Sequence, residues 1–305
     1  MSGPRRSGIA RVLTIAGSDS GGGAGIQADL KTMHQLGAYG MSVITAVTAQ
    51  NTMGVAGFEA MSAAFVQRQL SAVLDDLGVD AMKTGMLANA DIVEAVASML
   101  SQRPACPLVV DPVMVARGGD VLLSPEAVEE LRVRLFPLAQ VVTPNLPEAS
   151  TIVGYPVRTV ADAERAARDI AALGPAYVVV KGGHRARANG TVPREAVDVV
   201  YVTAKDAIFH LLAPFTASHN THGTGCTFSS AIAALLARGW EVEEAIAGAK
   251  AFVSDAIMGS RDWELGHGNG PTDHFASPPT RYCPKLRAVN RYDQGRWTVQ
   301  GERSQ

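Results

Sequence analysis

Apolar positions along the chain follow two rhythms. Consecutive apolar and largely β-branched residues recur at 12–16, 42–48, 108–113, 140–143 and 177–181, nearly without polar alternation. Strands buried on both faces read this way. Between these runs, apolar residues return at helical spacing: Ile26, Leu30 and Met33; Val66, Leu70, Val73 and Leu74; Ile92, Val96 and Leu100; and the stretch 163–173. Strand alternating with helix predicts an α/β fold in which a mainly parallel central sheet carries helices on both faces.

Each predicted strand runs into a polar or glycine-rich segment, at 17–25, 50–54, 111–112, 143–148 and 181–184. Ligands of open α/β sheets bind outside the carboxyl ends of the strands, so these segments should converge on one crevice. Extended runs at 198–202 and 207–212 read as an antiparallel edge, and 227–238 and 242–258 as helices. From about residue 277, Pro, Arg and Gln accumulate while apolar periodicity fades. The resulting division is a disordered arm over 1–11, one catalytic domain over 12–276 and a loosely held tail over 277–305.

Composition removes several classes of function. The 305 residues carry a formal charge of -2, with 18% charged residues and no basic run longer than a pair, so no broad positive face is on offer to a nucleic acid. The three cysteines, Cys106, Cys226 and Cys283, form no CxxC motif, and a reduced, cytoplasmic setting is expected. No apolar stretch approaches the ~18 residues that a membrane helix needs, and none near the start resembles a signal-peptide core. The seven histidines have no ligand-spaced companions for zinc, and no Gly-x-Ser-x-Gly elbow marks a hydrolase.

What chemistry the chain does carry lies in short motifs. Asn220-Thr-His-Gly-Thr-Gly-Cys226 enters an apolar helix, where bare amides and the helix dipole suit the charge of a phosphoryl group. A plain tight turn would use the same glycines. Cys226 stands where a helix start lowers a thiol's pKa, which suits a proton acceptor, although a lone cysteine also packs. Asp111 and Glu148 follow buried strands, as carboxylates that hold Mg2+ do, and Glu148 equally suits a helix cap behind Pro147. Gly23-x-Gly25-x-x-Ala28 matches the loose dinucleotide motif, but 48–51 supplies no acidic partner, and no Gly-Lys-Ser/Thr completes a phosphate loop. Asp19 remains there as a polar handle. Gln50 ends the second strand, and its carboxamide pairs donor with acceptor as an aminopyrimidine edge does. Lys181 could lie near nucleotide phosphates or neutralise a carboxylate.

Together these segments resemble the hydroxymethylpyrimidine/phosphomethylpyrimidine kinases of thiamine biosynthesis, within the ribokinase-like superfamily. The likeness spans residues 12–275. It rests on Ala16-Gly-Ser-Asp-Ser-Gly-Gly-Gly-Ala-Gly-Ile-Gln-Ala-Asp-Leu-Lys31, Val47-Thr-Ala-Gln-Asn-Thr52, Lys83-Thr-Gly-Met-Leu87, Val110-Asp-Pro-Val-Met114, Thr143-Pro-Asn-Leu-Pro-Glu148, Lys181-Gly-Gly-His184, the 220–227 segment and Gly266-His-Gly-Asn-Gly-Pro271. The resemblance implies a ribokinase-like three-layer sandwich that uses ATP and Mg2+ to phosphorylate an aminopyrimidine, first on its hydroxymethyl group and then on the resulting monophosphate. It implies Gln50, Gly17, Asp19, Met86 and Val113 for the substrate, and Gly223, Thr224 and Gly225 for the anion hole. Cys226 takes the place of the superfamily's catalytic Asp. Asp111, Asn145 and Glu148 fall in the Mg-phosphate network, with Asp111 and Glu148 as metal ligands and Lys181 near the nucleotide. Relatives often dimerise, so a homodimer is expected. The nearest alternative is a pyridoxal or pyridoxine kinase, whose relatives with Cys at the catalytic position resemble Met-Asp-Pro-His where this chain has Ala49-Gln-Asn-Thr52.

Overall fold

The computed structural model describes residues 8–114, 123–183 and 194–300. In chain order the strands are β1 (Ala10–Asp19), β2 (Ala38–Asn51), β3 (Gly54–Ala60), β4 (Ala81–Thr84), β5 (Leu108–Val110), β6 (Val141–Val142), β7 (Tyr177–Val180), β8 (Glu195–Val202), β9 (Ala207–Pro214), β10 (Val289–Asp293) and β11 (Arg296–Gln300). They form one sheet in the order β11-β10-β9-β8-β7-β6-β5-β4-β1-β2-β3. The centre from β2 to β7 is parallel, β8 runs antiparallel to β7, and β9 runs antiparallel to β8.

Helices α1 (Gly25–Gln35), α7 (Thr224–Ala237) and α8 (Val242–Gly259) cover one face; α2 (Ala63–Asp76), α3 (Ala90–Ser101), α4 (Pro125–Glu130), α5 (Leu146–Val153) and α6 (Val160–Ala171) cover the other. Successive strand residues feed opposite cores. Leu13, Ile15, Val110, Val142 and Val178 pack on the α2–α6 side, and Val12, Val109, Val141 and Val179 pack under α7 and α8. Because both faces are dry, nothing selects polar alternation, which is why these strands appear as unbroken apolar runs.

The ends of the chain differ from expectation. Ala10 and Arg11 already belong to β1, where the Arg11 amide and side chain bind Asp80. The region from 277, expected to be loosely held, instead adds two strands: β10 pairs parallel to β9, and β11 folds back on β10. The cause is aromatic. Trp297 stacks on Tyr282 with ring centroids 4.7 Å apart and touches Tyr292 at 5.2 Å, so three rings supply the core that a period count overlooks. Strands β8 and β9 are therefore antiparallel as read, but they are not the edge.

Candidate active site

The carboxyl ends of the central strands, the glycine-rich loop after β1 and the start of α7 surround one cavity of about 990 Å³, and every site residue expected from the sequence lines it. His184, quoted with Lys181, lies outside the described residues.

At one end the groups are charged. Asp111, Thr143 and Lys181 follow β5, β6 and β7 in turn. Asp111 Oδ1 accepts from Lys181 Nζ at 2.7 Å and from Thr143 Oγ1 at 3.0 Å, while Ser229 Oγ of α7 reaches Oδ2 at 3.4 Å. Burial alone would raise the Asp111 pKa, but the ammonium groups of Lys181 and Lys83 outweigh it and hold the carboxylate below its usual range. Glu148 sits in the first turn of α5. It accepts from the Asn145 amide at 2.7 Å, and the Asn145 side chain accepts from the Glu148 amide at 2.9 Å. This capping box satisfies two end amides of the helix, so the capping reading of Glu148 holds in its own right. Burial pushes Glu148 up to about 7; Lys181 pulls it down, and the Asp111 charge adds to the rise.

The pair's chemistry suits a divalent cation. Asp111 and Glu148 are two buried carboxylates beside Lys181, and burial, with the Asp111 charge, keeps Glu148 raised. Among the described residues no group of three or more His, Cys, Asp or Glu forms a metal cage. Mg2+ asks for none, since it keeps waters and takes phosphate oxygens besides one or two carboxylates.

Helix α7 opens over this end. Its N-cap is Gly223, with φ 81 and no side-chain cap. The first intrahelical bond, from the Thr227 amide to the Gly223 carbonyl at 2.8 Å, leaves the Gly225 and Cys226 amides without helical acceptors. Two close approaches explain the glycines. A Cβ on Gly223 would strike the Gly23 carbonyl, and one on Gly225 would lie 3.3 Å from Lys181 Nζ and 3.5 Å from Asp111 Oδ2. The Thr224 hydroxyl turns back to the Thr221 carbonyl and steadies the turn.

The thiol departs from expectation. Burial pushes Cys226 up to about 11; Lys83 and a hydrogen bond from the Gly25 amide pull down, while Asp29 and Asp111 push up. The helix start does not produce a thiolate here, because desolvation and the Asp29 and Asp111 charges outweigh it. Lys83 is the residue whose importance the motif alone did not reveal. Fully buried, it pairs with Asp29 at 2.9 Å, and Thr14 Oγ1 donates to the same carboxylate at 2.6 Å. Burial favours neutral Lys83, yet Asp29, Cys226 and Asp111 hold its proton more firmly than in water. Its only sequence signal is a lysine inside the wholly buried strand Ala81–Thr84.

The opposite end is neutral or internally paired. Met86 and Val113 pack with Ala46 in a small apolar cluster, and Gly17 leaves space where a Cβ would come within 3.2 Å of the Met86 sulfur. Asp19 is consumed by its own loop. It accepts from the amides of Gly21, Gly23 and Ala24 at 2.8, 3.1 and 2.8 Å and from His222 Nε2 at 2.9 Å. Burial opposes its charge, but His222 and these amides prevail and the pKa is lowered. Gln50 faces the cavity with its amide 3.3 Å from the same His222 nitrogen. His222 lies within the 220–226 motif, whose spacing alone assigns the imidazole no role.

Paired lysines and carboxylates, an uncapped helix start and an apolar pocket thus meet in one cavity, an arrangement able to hold a charged phosphoryl group beside a flat ring. The family described as phosphomethylpyrimidine kinase matches residues 19–273. A hydroxymethylpyrimidine/phosphomethylpyrimidine kinase of Streptomyces coelicolor is 49% identical over 263 residues, covering 86% of this chain and 93% of that one. The thiamine biosynthesis bifunctional protein of Geobacter sulfurreducens is 49% identical over 265 residues, and this chain spans about half of its length, 52%. Among solved structures, an ADP complex of Bacillus subtilis pyridoxal kinase superposes with a TM-score of 0.78 at 41% identity, covering 88% of this chain and 98% of that one. The chain belongs to the phosphomethylpyrimidine kinase family.

Proposed function

We propose that this chain transfers the γ-phosphoryl group of ATP to the hydroxymethyl oxygen of 4-amino-5-hydroxymethyl-2-methylpyrimidine, and then phosphorylates the monophosphate to the diphosphate, in thiamine biosynthesis. The observation that supports it most is the meeting of Gln50, Cys226, Asp111 and the uncapped α7 in one cavity. The acceptor oxygen attacks phosphorus, a new P–O bond forms, and the bond to the ADP oxygen breaks. The hydroxyl proton passes to the Cys226 sulfur in its thiolate form, the small fraction present near neutrality. Amides of Gly225 and Cys226, with Gly223 and Thr224 shaping the turn, take up the charge of the phosphoryl in transit.

Gln50 reads the pyrimidine edge, Met86 and Val113 flank the ring, and Gly17 admits it. Asp19 acts through the loop it organises. Lys181 balances Asp111 near the phosphates, and Asn145 keeps Glu148 in place. Asp111 and Glu148 would hold Mg2+, which when bound neutralises phosphate charge. ATP as donor is supported by the ADP complex of the Bacillus subtilis relative. A cytoplasmic setting accords with three free cysteines, and a homodimer with the exposed edge strand β3.

Pyridoxine phosphorylation is the second reading, favoured by likeness to a pyridoxal kinase. The decisive assay offers both acceptors to purified protein with ATP and Mg2+, with products identified by mass. Phosphorylation of pyridoxine alone would reverse the order of the two readings.

A further inference from the structure

One ring nitrogen in the acceptor pocket has two neighbours. His222 Nε2 lies 2.9 Å from Asp19 Oδ2 and 3.3 Å from the Gln50 amide nitrogen. Both contacts cannot be made in the same state. Asp19 is a carboxylate whose oxygens only accept, so Nε2 carries a proton and donates to it. A nitrogen that donates to Asp19 cannot accept from the Gln50 NH2. Amide ends are assigned by the network that they join, and here one orientation satisfies every member. The structure sets the Gln50 amide nitrogen toward His222 and Oε1 3.2 Å from Thr48 Oγ1, whose single proton goes to the Ser18 carbonyl at 2.9 Å; with the amide ends exchanged, Oε1 faces His222 Nε2–H and the NH2 donates to Thr48 Oγ1.

The imidazole is held firmly enough to impose that choice. Its side chain is 14% exposed and that of Asp19 is 3% exposed. The His222 amide donates to the Gly270 carbonyl at 3.0 Å, and the Thr272 amide donates to the His222 carbonyl at 3.3 Å. The same loop grips the other partner's strand, through the Asn269 amide on the Thr52 carbonyl at 2.8 Å, two residues beyond Gln50. Gly23 lacks a side chain where the His222 ring packs. The motif at 266–271, which the sequence left without a role, thus ties His222 to the end of β2.

We propose that His222, anchored on Asp19, fixes which way the Gln50 carboxamide faces and thereby selects rings bearing an amino group beside a ring nitrogen over rings bearing an oxo group there. The proposal rests on Gln50 reading the pyrimidine edge. With Oε1 toward His222, the carboxamide accepts from an exocyclic amine and donates to an unprotonated ring nitrogen. An oxo analogue presents the reverse pattern, a carbonyl beside a ring N–H. To meet it the carboxamide must turn over, which sets its NH2 against His222 Nε2–H, donor against donor. A site that leaves a buried donor unpaired rejects its ligand strongly.

The test compares kcat/KM for the 4-amino substrate with that for its 4-oxo analogue. His222→Phe should lower the amino/oxo ratio about 10- to 100-fold, through a raised KM for the amine and a lowered KM for the oxo compound, with KM for ATP unchanged. His222→Gln, which keeps a donor at that reach, should stay within about threefold of the unaltered ratio. His222→Asn, whose amide is too short to reach Gln50, should follow Phe and serves if Phe prevents folding, as judged by ADP binding. An equal loss for both substrates in Phe and Asn, or an unmoved ratio, overturns the proposal, as does a ratio that collapses equally in Gln. Gln50→Ala separates the two levels. If it collapses the ratio while Phe does not, His222 alone is set aside; if neither moves it, the placement of the pyrimidine at Gln50 falls as well.

Discussion

The two ends of the cavity solve opposite problems. At the neutral end, Gln50, His222 and Asp19 satisfy one another, and the carboxylate is already spent on three amides and an imidazole. At the charged end, Asp111 and Glu148 lie buried beside the half-buried Lys181, with Glu148 held up at about 7. A finished hydrogen-bond network discriminates by shape and polarity and has no need of ions. An unfinished charge network is suited to guests that bring charge with them, as a nucleotide with its cation does. Cys226 stands between the two, in the first turn of the helix that borders both.

The sharpest way to break this division is at the boundary. Cys226→Ala should lower kcat by about 10²- to 10⁴-fold, the usual cost of losing a proton acceptor, while KM values at both ends change little. Because burial sets the thiol at about 11, only a small fraction is thiolate near neutrality. The log of kcat/KM should therefore rise with pH from 7 to 9 in the unaltered enzyme and flatten in the variant. A flat profile in both would make the sulfur a positioning group. Next in size, Gln50→Ala should raise KM for the aminopyrimidine about 10- to 50-fold, as losing a paired polar contact does, with little change in KM for ATP. Equal losses for both ligands would dissolve the boundary drawn here.

A smaller effect tests the raised Glu148. Glu148 is protonated below about 7 in the unliganded protein, so a cation that needs its carboxylate must displace a proton. Mg-ADP binding by calorimetry should weaken up to about tenfold from pH 8 to pH 6, and Glu148→Gln should abolish that slope. Stability runs the opposite way with pH. A carboxyl raised from 4.5 to about 7 contributes fully below 4.5, and its contribution is lost as pH rises through 7. The Tm of Glu148→Gln relative to the unaltered protein should accordingly climb between pH 5 and pH 8. An unchanged difference would mean that Glu148 acts as a cap alone.

How much of this could be read in the sequence depended on which force placed each residue. Doubly buried strands such as β1 and β7 announce themselves by composition, and the strand-end rule then gathers Asp111, Lys181 and Gln50 correctly. Pairing at a distance leaves no such trace. Nothing local says that Lys83 meets Asp29, that His222 meets Asp19 across 203 positions, or that burial overrides a helix dipole at Cys226. The short strand β4 and the exposed β3 escaped notice for a related reason, since four residues carry little period and an edge strand little apolar content. The aromatic hairpin at the C-terminus leaves no period in the sequence because its core is three rings and not a repeating pattern.

That hairpin also supplies the smallest and last test, because it touches neither end of the cavity directly. It lies beyond residue 273, where the family match stops, and it caps β9 through parallel pairing at His210, Leu211 and Leu212. Tyr292 binds Asp255 of α8 at 2.6 Å, and Arg291 pairs with Glu195 of β8. Trp297→Ala removes a stacked ring and part of a small core, a loss of about 1–3 kcal/mol that should lower Tm by about 3–8 °C. If the cavity's two ends are complete in themselves, kcat and both KM values should stay within about twofold of the unaltered enzyme at 25 °C, since stability alone is being drawn down. A selective rise in KM for ATP would instead make the hairpin a third working region, acting through Asp255 on the adjoining α8 residues Ser254 and Ile257 that line the cavity.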